Sequence, residues 1–252
     1  MANKGKYYES QFEEATIGLL REAHWQYAFG DDIHRKYTDP LIEEDLRNFL
    51  SVQYKDKNLT TSEMDSIVAN LRNTGGQNDY YALRNAFLLY RDGYDFAYSD
   101  GRDNPFRLEY IDFEHPDHNI FRCVNQFVME QGRENRRPDI LLFVNGIPVC
   151  IIELKNPTKQ NATIRDAHTQ ICTRYMRDIP ALLKYCALAV ISDGAKNALG
   201  TTYTPFEFFY EWKKIENEDK AGKGLDTLRT LIRGALSPER ILEILRDYVY
   251  FP

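Results

Sequence analysis

RPDILLFVNGIPVCIIELKNP, residues 137–157, holds two apolar runs joined by Asn145-Gly146. An Asn-Gly pair between apolar runs predicts a β-hairpin closed by a type I′ turn. Three charged residues interrupt this plan: Asp139 at the start of the first strand, Glu153 and Lys155 at the end of the second. Along a strand, residues two apart share a face, so Glu153 and Lys155 project together while Leu154 points away. A two-residue turn sets position 144 opposite 147, and strict pairing then sets Asp139 opposite Ile152, one step short of Glu153. A bulge or strand twist is needed to bring the two carboxylates onto one site.

Two acids and a lysine that converge in this way suit phosphodiester hydrolysis. One or two carboxylates hold Mg²⁺ and leave coordination positions for water and a phosphate oxygen. Asp139 and Glu153 are the candidate ligands, with the backbone carbonyl of Leu154 as a third. The ion would stabilise charge on the phosphate and lower the pKa of a bound water. Lys155 would orient that water or act as a point charge beside the reacting phosphate. Taken alone, Glu-x-Lys on a strand is an ordinary surface ion pair worth ~0–1 kcal/mol. The chemical reading rests on the conjunction of Pro138-Asp139, the spacing to Glu153-Leu154-Lys155 and the basic surroundings.

Those surroundings stand out against the whole chain, whose formal net charge is −6. Between Arg122 and Lys184 there are ten Lys and Arg against six acids. A polyanion could sit where that positive charge gathers. A chain of 252 residues, 43% hydrophobic, can build its own core. It has no run of ~20 apolar residues and no signal-peptide h-region at its start, so a cytosolic protein is expected. Cys123, Cys150, Cys172 and Cys186 form no C-x-x-C pair and read as buried thiols. The absence of a G-x-x-x-x-G-K-[ST] loop argues against ATP binding within these residues.

Periodicity predicts helices over 9–23, from Thr38-Asp39-Pro40 to about Lys55, and near 62–72 and 79–91, making the first ~90 residues mostly helical. From about 106 the period becomes two, in FRLEYIDF and IFRCVNQFVME, which predicts strands. After the hairpin, Thr163 with Asp166 resembles a capping box for a helix that Pro180 stops. YCALAVIS, 185–192, reads as a buried strand, and Ser237-Pro238 as the start of a last helix. The expected fold is a layered α/β core: a mostly helical part over 1–105, a central mixed sheet flanked by helices over 106–195, and a connector over 196–252. The apolar ending VYFP suggests a chain cut from a longer protein.

At this level of detail the residues resemble the PD-(D/E)xK nucleases, with Pro138-Asp139 and Glu153-Leu154-Lys155 as the motif. Gln170 and Tyr175 on the next helix are similar to the QxxxxY element of the N-terminal nuclease domain of type I restriction endonuclease R subunits. ELKNP, AVISDG and SPERILEILRDYVYF look like the same family. The resemblance implies a Mg²⁺-dependent (or Mn²⁺-dependent) endonuclease that cuts double-stranded DNA after an ATP-driven translocase, later in the polypeptide, has moved it. Methylation and specificity subunits would recognise the site. Asp139, Glu153 and Lys155 carry over as the catalytic set, and Gln170 and Tyr175 as supporting or DNA-contacting residues. Related nucleases add a carboxylate from the first helix, for which Glu13 is the nearest candidate and Glu9 the second.

Arg136, Arg137, Lys159, Arg165 and Arg174 are candidate phosphate contacts, and His168 reads as a solvent-facing helix residue. Gln170 and Tyr175 lie five apart, ~140° around an α-helix, so they should not share a face. Two other readings stay open. One is a repair or recombination nuclease of the same superfamily acting without a motor. The other is a nuclease-like fold without catalysis, kept for DNA binding or docking.

Overall fold

The computed structural model describes residues 2–155, 163–215, 222 and 224–251, with side chains described from residue 10 onward. Six strands form one sheet: β1 (Gln26–Phe29), β2 (Phe121–Asn125), β3 (Ile140–Val144), β4 (Ile147–Leu154), β5 (Leu188–Ser192) and β6 (Asn197–Thr201). Their spatial order follows the chain, β1 to β6. The pairs β1/β2 and β4/β5 are parallel, and the other neighbours are antiparallel. The expected mixed sheet is therefore present. Strands β3 and β4, at its centre, are buried along their whole length, as their unbroken apolar runs require.

Each face of this sheet is covered by its own core. On one lie α1 (Ala2–Glu22), α2 (Glu43–Gln53), α3 (Thr61–Asn73) and α4 (Asp79–Asp92), which contribute Leu20, Phe49, Ile67 and Phe87. On the other lies the crossover between β4 and β5, contributing Ala167, Ile171 and Tyr175, then α6 (Pro180–Leu183) with Leu182 and Leu183. The crossover begins as α5 (Ile164–Thr169) and continues through a π-helical turn, Gln170–Tyr175, to Asp178. Two C-terminal helices, α7 (Leu225–Ala235) and α8 (Pro238–Glu243), return to the first face, where Leu228, Ile232 and Leu242 join its core. Phe251 packs edge-on and tilted against Tyr80 and Phe87.

Local chemistry explains most boundaries. Thr60 and Glu63 cap the start of α3 with a reciprocal capping box, and Thr163 with Asp166 does the same for α5. Asn78 caps α4, and Gly93 ends it at φ 68°. The start of α2 departs from expectation: the helix begins at Glu43, not at Pro40. Asp39 instead accepts a hydrogen bond from Leu41 N at 3.1 Å, an Asx turn, and Ile42 N donates to Gly146 O at 2.9 Å. The segment that would have been the first helical turn is thus tied to the hairpin. FRLEYIDF also departs, since Phe106–Leu108 pairs with Tyr94–Phe96 in a separate ribbon, outside the main sheet. β1 lies within the part expected to be mostly helical, and β6 extends the sheet past Asp193-Gly194.

Candidate active site

The hairpin turn is type I′, with φ of 50° at Asn145 and 76° at Gly146. It is buried and held from three sides. Asn145 donates its side-chain amide to Tyr110 O at 3.0 Å and to Asn119 Oδ1 at 2.8 Å, and accepts from Ile120 N at 2.7 Å. A Cβ at position 146 would drive into the Ile42 carbonyl oxygen. Only glycine allows both the positive φ and that approach.

Farther along the hairpin the register changes. Val144 pairs with Ile147 and Phe143 with Pro148, but Leu142 pairs with Cys150, Leu141 with Ile151 and Ile140 with Ile152. Val149 is the extra residue of a β-bulge. Val149 and Cys150 both join the first core, whereas Ile151 joins the second. After the bulge, position 153 therefore shares the face of Ile151 and Leu141, and continued pairing sets it opposite 139. The missing step of the hairpin register is supplied here, and without it Glu153 would point into the other core.

Asp139 and Glu153 consequently meet at one end of the sheet. Asp139 Oδ2 accepts from Leu154 N at 2.7 Å. Glu153 is 1% exposed, and its Oε1 accepts from Lys155 Nζ at 2.7 Å. Burial and the neighbouring Glu153 charge raise the Asp139 pKa well above the carboxylate range, against the Leu154 N–H and Lys155, which lower it. Two carboxylates forced together with one lysine favour an added cation. These oxygens, with the backbone of Leu154, suit a hard divalent ion such as Mg²⁺.

The crossover helix supplies the next layer. Lys155 Nζ also donates to Gln170 Oε1 at 2.7 Å, and Gln170 Nε2 donates to Tyr175 Oη at 2.7 Å. An α-helix would separate these two side chains, but they lie on the π turn, whose i→i+5 spacing stacks residues five apart. Burial and the nearby Glu153 carboxylate raise the Tyr175 pKa, keeping its hydroxyl protonated. A chain of polar contacts thus runs from Glu153 through Lys155 and Gln170 to Tyr175.

Glu13 occupies a neighbouring position. Its carboxylate accepts from Asn125 Nδ2 at 2.7 Å and from Gln126 Nε2 at 2.9 and 3.0 Å. Asn125 is paired across β2/β3 with Ile140, next to Asp139. Gln126 takes φ 55°, an uncommon value for a non-glycine residue, in making this clamp. Sequence reasoning missed Asn125 and Gln126; NQF after a strand gave no sign of them. Glu13 stands off the pair, however. Among the described residues, the group of three potential metal ligands with donor atoms within 4.8 Å of each other is Asp112, His115 and His118. The side chain of Glu9 and all of Lys159 lie outside the described residues.

The remaining basic candidates divide. Arg137, Arg165 and Arg174 are exposed and make no ion pair among the described residues, and Arg165 lies over the Phe206 ring at 4.3 Å. Arg136 is engaged internally, 2.7 Å from Asp178 and 2.5 Å from Glu134. Arg122 holds the buried Asp45 through two 2.7 Å bonds, and Lys184 donates to the carbonyls of Arg72 and Thr74. Part of the basic surplus therefore serves the fold. His168 is half-buried, 2.9 Å from Thr204 O and edge-on to Phe206 and Phe209, rather than solvent-facing. The four cysteines are free; three are buried and Cys172 is half-buried.

The chain is similar to proteins named as type I restriction enzyme endonuclease subunits. The chain is 29% identical over 96% of its length to the HindI type I restriction enzyme endonuclease subunit of Haemophilus influenzae, covering 24% of that protein. It is 28% identical over 94% of its length to a provisionally named MjaIXP type I endonuclease subunit of Methanocaldococcus jannaschii, covering 25% of it. Against the EcoprrI endonuclease subunit of Escherichia coli, identity is 32% over 49% of the chain and 40% of the relative. The chain thus spans about a quarter of the length of the first two. The profile of the type I restriction enzyme R protein N terminus matches residues 6–208, and the chain belongs to that family.

Proposed function

We propose that this chain is the cleavage module of a type I restriction enzyme, hydrolysing phosphodiester bonds of double-stranded DNA with Mg²⁺, or Mn²⁺ in its place. The observation that carries the reading is the bulged hairpin, which sets Asp139 opposite Glu153 with Lys155 on the same face. Asp139, Glu153 and the Leu154 carbonyl would hold the ion. When bound, its contribution is charge, offsetting what builds on the phosphate in the transition state.

The protein's own groups do the rest. Glu153 fixes the Lys155 ammonium from one side and Gln170 from the other, so a cation is held at the reacting centre before DNA arrives. Tyr175 holds the Gln170 amide in the orientation that presents its oxygen to Lys155. Glu13, clamped by Asn125 and Gln126, adds negative charge near Asp139. Arg137, Arg165 and Arg174, exposed among the described residues, would meet phosphates, which fixes DNA without reading sequence.

As part of a full-length subunit, the module would act with a translocase in the same polypeptide, where ATP is used, and with methylation and specificity subunits that choose the DNA. A cytoplasmic location follows from those partners. Among the described residues, no helix is long and apolar enough to cross a membrane. The test is cleavage by the assembled full-length enzyme. Asp139→Ala or Lys155→Ala should abolish cutting while ATP hydrolysis persists, and Mg²⁺ binding should be lost in Asp139→Ala and Glu153→Ala. Cutting by either of the first two variants at the wild-type rate would overturn the assignment.

A further inference from the structure

The back of the hairpin turn is held by a loop with its own cluster of ligating groups. Asp112 lies just before a single 3₁₀ turn, Pro116–His118. Its Oδ1 accepts from Glu114 N at 3.0 Å and His115 N at 2.9 Å, which folds the loop over the carboxylate. His118 Nδ1 lies 2.9 Å and His115 Nδ1 3.4 Å from the same Asp112 Oδ2. The two imidazole rings stack with centroids 4.7 Å apart. The Asp112 side chain is 6% exposed, while the two imidazoles remain open to solvent.

We propose that Asp112, His115 and His118 form a second metal site, separate from the hairpin carboxylates, that takes a borderline divalent ion of the Zn²⁺ class. The donor set decides the class: two imidazole nitrogens and one carboxylate oxygen suit Zn²⁺, Ni²⁺ or Co²⁺, whereas Mg²⁺ selects oxygen ligands. The spacing agrees as well. Bonds of ~2.0–2.1 Å in a tetrahedron place ligand atoms about 3.3 Å apart, and the two Asp112–imidazole distances are 2.9 and 3.4 Å. Gln53 Nε2 also donates to Asp112 Oδ2, at 3.2 Å, so an ion there would share that oxygen with this bond. Without an ion, the His118 ring hydrogen-bonds to Asp112 Oδ2 at 2.9 Å.

The site is placed to act on the hairpin. Asn119 Oδ1 accepts from Asp112 N at 2.9 Å and from Asn145 Nδ2 at 2.8 Å, and Asn119 Nδ2 donates to Asp112 O at 2.7 Å. An ion on Asp112 would therefore staple the loop that clamps the Asn145-Gly146 turn. Its role would be structural, stiffening the far end of the strands that carry Asp139 and Glu153.

The experiment is a Zn²⁺ titration of chelator-stripped protein, by calorimetry and by thermal melting, with Co²⁺ absorption reporting coordination. It uses wild type, His115→Ala, His118→Ala and the double variant Asp139→Asn/Glu153→Gln. One equivalent should bind to wild type and to the double variant, raising Tm in both. Each histidine variant should bind at least tenfold more weakly and show no Tm increase. Both histidines are exposed, so the stripped variants should melt with the stripped wild type, which separates lost binding from lost folding. No binding to wild type, or undiminished binding in both histidine variants, would overturn the site. Binding that disappears only in the double variant would likewise overturn it and assign Zn²⁺ to the hairpin. Because the hairpin variant is read separately, failure here leaves the nuclease reading intact.

Discussion

Gln170→Met tests whether the π turn serves catalysis or only packing. Methionine keeps the length of glutamine and removes both polar atoms, so two 2.7 Å hydrogen bonds disappear, to Lys155 Nζ and to Tyr175 Oη. The first involves an ammonium whose side chain is only 15% exposed, and hydrogen bonds to charged groups are worth about 1.5–3 kcal/mol. Lys155 keeps its bond to Glu153 and the ion pair survives, but the ammonium is no longer fixed from the helix side. If it must sit at a set position in the transition state, that energy becomes a rate loss of roughly 10- to 150-fold. The assay is cleavage of DNA at saturating concentration by the assembled enzyme, with ATP hydrolysis, DNA affinity and Tm recorded alongside. Cutting should fall while DNA affinity and ATP hydrolysis hold, and Tm should move by only a few degrees, since Gln170 is half-buried. A variant that cuts at the wild-type rate would refute the reasoning. So would a loss of cutting that merely tracks a loss of folded protein.

The raised Asp139 pKa implies a pH-dependent stability. The folded state binds this proton more tightly than the unfolded chain, so the contribution is fully present below the unfolded value, ~3.9, and is lost as pH rises through the folded one. Without metal, melting from about pH 5 to pH 8 should show wild type losing stability relative to Asp139→Asn; a parallel pair of curves would sink the idea. Gly146→Ala should destabilise by more than ~1–3 kcal/mol, read as a lower urea midpoint, because a Cβ collides with the Ile42 carbonyl and φ is 76°. Arg136→Ala leaves Asp178, 3% exposed, with Arg177 as its remaining arginine partner, and should lower Tm. Arg174→Ala should leave Tm alone and reduce the salt dependence of DNA binding by about one charge; the reverse pattern would exchange their roles.

How much of this was legible depends on what each signal encodes. Asp139, Glu153 and Lys155 stood out because charged residues interrupt runs buried on both sides. The Asn145-Gly146 turn was legible because left-handed backbone demands particular residues. The start of helix α2 was misplaced because Thr-Asp-Pro is a strong start signal, yet tertiary structure claimed that segment: Ile42 N–H bonds to Gly146 O. Strand β1, QYAF, escaped notice because three of its four residues are exposed at the sheet edge, leaving no apolar period to read. The Gln170–Tyr175 spacing looked inconsistent because an α-helix was assumed, and no residue type announces a π turn.

The bulge at Val149 was hidden for a related reason, and it matters most. In a strand buried on one face, alternation of apolar and polar residues reports the register, and a slip becomes visible as a misplaced polar residue. Strand β4 is buried on both faces, so IPVCII is apolar throughout and silent about which residue is extra. The charged residues beyond it are the only register marks the sequence retains. Asp139 and Glu153 can share a face and a rung only if one residue is absorbed between the turn and Glu153. The demand for a bulge was thus readable from the chemistry while its position was not. Val149 absorbs the residue beside Cys150, in the first core, where two adjacent small side chains can point the same way.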